Sequence, residues 1–181
     1  MKLDIENTQL LVVDIQGKLA EIVDDAENVL KNSEILIKTA QALNIPILWV
    51  EQNPDGLGET HPKLKTILEI ENQAFSKHTF SALKEDKIRE KLESYSCSQI
   101  LVCGIEAHVC VYQTVMDLLG YGYRVHLIED AVSSRNKNSK DIAIAKMREN
   151  GAIIDTTEMA IFELLKTHQH PKFRELLKLL K

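Results

Sequence analysis

Three residues suited to acyl-transfer chemistry stand directly after short apolar runs. Asp14 follows QLLVV, Lys77 follows AFS, and Cys110 lies in GIEAHVC, just past QILVC. A thiol attacks a carbonyl as its thiolate, and a neighbouring carboxylate can accept the thiol proton and return it to a leaving amine. An ammonium beside them lowers both pKa values and helps hold negative charge. The turn from Gly104 to Cys110 also offers backbone N–H donors for an oxyanion. Each residue has a plainer reading: Asp14 as a helix cap or loop acid, Lys77 as a solvated lysine, Cys110 as a buried structural thiol. The chemistry belongs to the set. Cys103, inside an apolar run, reads as core, and Cys97, in the preceding turn, as incidental.

The elements that must position these residues are legible in the apolar pattern. Short runs rich in Val, Ile and Leu occur at Gln9–Asp14, Ile47–Glu51, Gln99–Gly104, Arg124–Glu129 and Ala152–Asp155, with a sixth near Ala74–Ser76. They barely alternate, as expected of strands buried on both faces. Between them lie helical stretches. Ala26–Leu43 sets Val29, Leu30, Ser33, Leu36, Ile37, Ala40 and Leu43 along one face, and Asn44 acts as a stop. Ala82–Glu93, Ala107–Leu119 and Ser139–Glu149 follow, with Gly120 and Gly151 as left-handed caps of the latter two. Thr157-Glu158 opens another helix, and Lys172–Lys181 reads as a short basic amphipathic one. Strand–helix alternation needs crossover connections, which give a mostly parallel sheet with helices on both faces. The expected fold is a single three-layer α/β/α, Rossmann-like domain over residues 1–181. In such sheets ligands bind beyond the carboxyl ends of the strands, where Asp14, Lys77 and Cys110 stand.

Composition agrees with an enzyme acting on a small-molecule substrate. The chain has 181 residues, 44% hydrophobic and 27% charged, enough for a full core without disulfides or a structural metal. With 22 Lys and Arg against 27 Asp and Glu, its net charge of −5 argues against nucleic-acid or anionic-membrane partners. No apolar run approaches the roughly 20 residues of a membrane span, and the start MKLDIENTQLLVV is unlike a signal peptide. The three cysteines cannot all pair within one chain, and none forms a CxxC unit. The expected location is the cytoplasm, with reduced thiols.

Six segments in order, LLVVDIQ, SKHTFSA, GIEAHVCVYQT, EDAVSSR, MRENGA and TTEMAIFELL, cover about residues 8 to 166. Together they resemble the isochorismatase-like cysteine hydrolases, a superfamily that includes nicotinamidases, carbamoyl-amide hydrolases and isochorismatases. The resemblance implies a mostly parallel six-stranded sheet, with Asp14 as general acid/base, Lys77 as its electrostatic partner and Cys110 as nucleophile. It implies a cis peptide at Ile105–Glu106, aiming the N–H groups of Glu106 and Cys110 at an oxyanion, and assembly into a homo-oligomer. Nicotinamidases carry an Asp-x-His metal motif after the second strand. Here Gln52 and Asn53 stand where those ligands would begin and His61 is alone, so neither a metal nor a cofactor is expected. True isochorismatases cleave a vinyl ether and often lack the cysteine, so Cys110 favours C–N bond cleavage through a thioester.

Gln52, Phe80 and His108 are the candidate substrate-binding residues, His108 also standing two positions from Cys110 as a possible base. Alternatives remain a vinyl ether hydrolase and a non-catalytic interaction protein on the same fold. A phospho-receiver needs acids after the first strand, where this chain has Ile15-Gln16. If Asp14 serves as base, Asp14→Asn is expected to slow alkylation of Cys110.

Overall fold

The computed structural model describes residues 2–70 and 72–181. Its strands are β1 (Thr8–Val13), β2 (Ile47–Gln52), β3 (Ala74–Lys77), β4 (Gln99–Ile105), β5 (Arg124–Ser133) and β6 (Ile153–Asp155). They form one sheet in the order β3-β2-β1-β4-β5-β6, and every neighbouring pair is parallel. The chain builds outward from β1 through β2 to β3, then returns to the other side of β1 for β4, β5 and β6. That reversal opens a crevice beyond the carboxyl ends of β1 and β4. Asp14 and the turn carrying Cys110 emerge on its two sides.

Burial on both faces explains the continuous apolar runs. All six residues of β1 are buried. Leu10 and Val12 join a core with Leu36 and Ile37 of the helix Ala26–Ala42, Ile161 and Leu164 of Thr157–Leu165, and Leu176 of Phe173–Leu179. Leu11 and Val13 join the opposite core, with Ile88 and Leu92 of Asp86–Ser94, Val115 and Leu118 of Tyr112–Gly120, and Ile144 and Met147 of Lys137–Glu149. Each such side chain contributes about 1.5–3 kcal/mol of burial, which fixes strand position and therefore the strand ends. At the β1–β4 seam, Gly104 adopts φ 137°, and a Cβ there would fall 2.0 Å from the Val13 carbonyl oxygen. Only glycine lets the two strands run this close where they deliver the site.

Several expected boundaries move for local reasons. The stretch Ala82–Glu93 divides into a 3-10 turn at Ala82–Lys84 and the α-helix Asp86–Ser94. Glu85 between them stays extended, and its carboxylate accepts from His78 N at 2.9 Å and Thr79 N at 3.1 Å. Ala107–Leu119 begins as a π turn over Ala107–Val111 before the α-helix Tyr112–Gly120. There the Glu106 carbonyl accepts from Val111 N, five residues on, at 3.3 Å. Gly120 ends its helix without a left-handed conformation, and Gly122, at φ 86°, takes that position instead. Asn44 and Gly151 do turn left-handed, at φ 56° and 105°. The fifth strand continues past Glu129 to Ser133, because a register shift after Val102 lets it pair onward with Gly104 and Ile105. Its end therefore delivers Ser134 and Arg135 beside Glu106. Asn136 caps the following helix at Lys137, earlier than the apolar pattern suggests. Among the described residues, no helix is long and apolar enough to cross a membrane.

Candidate active site

Asp14 leaves β1 with φ 50°, a left-handed conformation that aspartate tolerates better than most residues, and is 3% exposed. Lys77 closes β3 and is fully buried. Its ammonium lies 2.7 Å from Asp14 Oδ2. It also donates to Gln52 Oε1 at 2.7 Å, to the Phe80 carbonyl at 3.1 Å and to the Thr79 carbonyl at 3.3 Å. Three N–H donors thus face four oxygens, the arrangement that a buried ammonium requires. The break at Glu85 is part of this device, since its carboxylate holds the loop that presents the two carbonyls.

Gln52 is held in turn by Gln16. Gln52 N donates to Gln16 Oε1 at 2.7 Å, and Gln16 Nε2 donates to the Gln52 carbonyl at 2.8 Å and the Gly58 carbonyl at 2.7 Å. Gln52 Nε2 donates to the His78 carbonyl at 2.9 Å, which orients its oxygen toward Lys77. Cys110 sits in the π turn, 7% exposed, with Sγ 4.0 Å from Gln52 Oε1. Asp14 and Lys77 both act on this thiol. Acid, ammonium and cysteine, 96 positions apart from first to last, are therefore brought into one cluster.

The electrostatics are specific. Burial raises the Asp14 pKa, Lys77 opposes that shift, and the Glu51 charge adds to it. Burial and then the Asp14 charge push the Cys110 thiol up to about 12, against the pull of Lys77. Both shifts favour the proton-bearing forms, so the thiol is neutral at rest and the pair resists a second negative charge. Among the described residues, both Asp14 oxygens lack a well-directed hydrogen bond, leaving the ion-pair contact with Lys77 as their compensation. A buried acceptor without its own donor, next to a thiol, has room for one proton.

These residues line a cavity of about 150 Å³. Its polar wall is Asp14, Gln16, Gln52, Glu106 and Cys110, and its apolar wall is Leu19, Leu57, Phe80, Ile105 and Val109. A space of that size holds a benzene-sized molecule. A larger hollow of about 840 Å³ opens near the amino-terminal end of β2, around Pro46, Ile47, Phe75 and Tyr95, but it holds none of the three reactive groups. The chemistry identifies the smaller space. The Ile105–Glu106 peptide is cis. Glu106 Oε1 accepts from Arg135 N at 2.9 Å and Arg135 Nε at 3.1 Å. Burial works to raise the Glu106 pKa, but those hydrogen bonds and the guanidinium charge outweigh it and hold the carboxyl below its ordinary range.

The structure separates the remaining candidates. Gln52 and Phe80 line the cavity, and the Phe80 carbonyl also holds Lys77. His108 points elsewhere: it is exposed, its Nδ1 lies 2.8 Å from Ser134 Oγ, and it borders a separate hollow with Tyr112 and Lys146. The π turn directs it away from Cys110, so the two do not form a Cys–His pair. His61 caps the helix Pro62–Leu68, accepting from Lys63 N at 3.3 Å. Among the described residues, no group of three or more His, Cys, Asp or Glu is arranged to hold a metal ion. Gln16 and the Glu106–Arg135 link are the site features that sequence reasoning missed. A buried amide two positions after Asp14 was the available signal for the first. The second depends on the unforeseen extension of β5.

Comparison with known proteins gives a consistent picture. The isochorismatase domain model matches residues 8–159. Isochorismatase family protein 1A of Dictyostelium discoideum is 38% identical over 177 residues, covering 96% of this chain and 86% of that one. The solved structure of MAR1 ribonuclease from Caenorhabditis elegans superposes with a TM-score of 0.93 at 38% identity, covering 99% of this chain and 92% of that one. The Escherichia coli ycaC gene product, described as an octameric hydrolase of unknown specificity, shares the fold with a TM-score of 0.89 at 21% identity, covering 98% and 95%.

Proposed function

This chain belongs to the isochorismatase family of hydrolases, and from that premise we propose that it cleaves an amide-type C–N bond of a small molecule through a thioester on Cys110. The observation that carries the reading is the buried Asp14–Lys77–Cys110 cluster, whose Asp14 and Cys110 line a benzene-sized cavity. The thiol proton passes to Asp14 as sulfur bonds to the substrate carbonyl carbon. The carbonyl oxygen becomes an oxyanion, for which the N–H groups of Glu106 and Cys110 are the assigned donors. Asp14 then gives the proton to nitrogen, the C–N bond breaks, and ammonia or an amine departs. Water attacks the thioester, Asp14 takes a proton from it, the C–S bond breaks, and the proton returns to sulfur. Lys77 keeps its charge throughout and compensates whichever of Asp14 and Cys110 is the anion.

Burial supports the coupled transfer. A carboxylate beside Cys110 holds the thiol protonated, but once Asp14 has taken the proton that repulsion vanishes and only the attraction of Lys77 remains. The thiolate is thus formed where it is needed and not held free at rest. A screen of small amides, ureides and isochorismate, with Cys110→Ala as control, tests the reading. Turnover lost in the variant and an acyl adduct on Cys110 support it. Hydrolysis that survives Cys110→Ala points to vinyl ether chemistry instead, and no turnover of any compound points to a binding role.

The ribonuclease name of the Caenorhabditis elegans structure makes RNA the second substrate class to assay. The charge of −5 and the two carboxylates on the cavity wall argue against a polyanion. We further assign the protein to a homo-oligomer in the cytoplasm. Its three cysteines are free, and Leu57 and Phe80, at 49% and 53% exposure, present apolar surface beside the cavity for a second copy to cover. Light scattering that finds a monomer at working concentration would refute that assembly.

A further inference from the structure

The cavity also limits which substrates enter, and this inference rests on the hydrolase reading above. We propose that the site selects a small uncharged or cationic amide, binding its nitrogen-bearing end at Glu106, and rejects substrates that carry a carboxylate, sulfonate or phosphate. The first support is the commitment of Lys77. Among the described residues no lysine or arginine lines the cavity, and Lys77, the ammonium behind the wall, is fully buried and faces Asp14, Gln52 and the carbonyls of Thr79 and Phe80. It has no N–H left to receive a substrate anion.

Glu106 supplies the second support. It is 7% exposed, lines the cavity, and spends only Oε1 on Arg135. Among the described residues Oε2 carries no hydrogen bond, so the wall offers an acceptor with no donor. An ammonium or an amide N–H2 satisfies it, and a carboxylate cannot. Asp14 adds a second buried acid on the wall; Lys77, 2.7 Å from its Oδ2, offsets its charge, and the charge of Glu51 lies close enough to act on it. Arg135 approaches Glu106 from outside the described wall, with its side chain 61% exposed, and offsets only part of that field. Size is a further limit, independent of charge, since about 150 Å³ admits only a small molecule.

Cys110 itself can report the selection without any turnover. Aminoethyl, methyl and sulfonatoethyl methanethiosulfonate place a cation, a neutral group and an anion on the same sulfur chemistry. Rates at Cys110, followed by mass spectrometry and divided by rates on free cysteine, should favour the aminoethyl over the sulfonatoethyl reagent by about tenfold or more. Glu106→Gln keeps an oxygen for Arg135 N and should reduce that ratio severalfold. Arg135→Met, which removes the offsetting cation, should increase it. Equal normalised rates, or preference for the anion, overturn the inference, and so does a ratio unmoved in both variants. A matched hydrolysis series of propionamide, β-alaninamide and succinamate separates the two levels. Charge-selective labelling with no amide hydrolysed defeats the hydrolase reading alone, and hydrolysis of succinamate at the rate of propionamide defeats the selection alone.

Discussion

Cys103 and Cys110 stand seven residues apart, both are buried, and burial pushes both thiols up to about 12. Cys103 lies inside β4 among apolar side chains, where the Ser33 hydroxyl favours its thiolate against the burial. Cys110 lies just past the strand, facing Asp14 and Lys77. The two thiols are equally reluctant to ionise for different reasons. At Cys103 the obstacle is desolvation, which no event in the folded protein removes. At Cys110 part of the obstacle is a carboxylate, and that same carboxylate can take the proton. A raised pKa is inert in the first place and conditional in the second.

The sharpest break between the two sites is Cys110→Ala, expected to abolish turnover, against Cys103→Ala, expected to leave kcat unchanged. Steady-state assays on both variants test this. Asp14→Asn should lower kcat about a hundred- to ten-thousand-fold, the usual worth of a general acid/base. The same change removes the group that takes the thiol proton, so alkylation of Cys110 near neutral pH should slow as well. Turnover and alkylation fall together, and Cys103 should show neither effect.

Lys77→Met should cost about 3–5 kcal/mol in urea unfolding near neutral pH, because Asp14 is left as an uncompensated buried charge. The sign of its pH dependence follows from the raised pKa of Asp14. A carboxyl that is raised on folding favours the native state below its unfolded value, and that contribution is lost as pH rises through the folded value. Without Lys77 the folded value rises further, so the variant should regain stability on acidification over a wider window than the wild type. The smallest effect belongs to Cys103→Ala, about 1–2 kcal/mol from a small cavity. A cost of the same size in Cys110→Ala, with activity intact, would erase the distinction between the two cysteines.

The fold was legible because parallel strands buried on both faces read as unbroken apolar runs, and strand ends then follow from strand positions. Asp14, Lys77 and Cys110 were legible as strand-end residues for that reason. The direction of His108 was not, because spacing does not specify side-chain direction in a π turn. The break at Glu85 and the Gln16–Gln52 link were hidden too, since both depend on hydrogen bonds between distant segments.

The pH slope of Cys110 alkylation tests the shared proton most directly. If the reacting thiolate arises by internal transfer to Asp14, its population does not depend on pH once Asp14 is ionised, so the wild-type rate should run flat from about pH 7 to 9. In Asp14→Asn the proton must go to solvent, and the rate should rise about tenfold per pH unit below the thiol pKa. A wild-type rate that rises with that same slope would show that Asp14 does not take the proton, and would contradict the account.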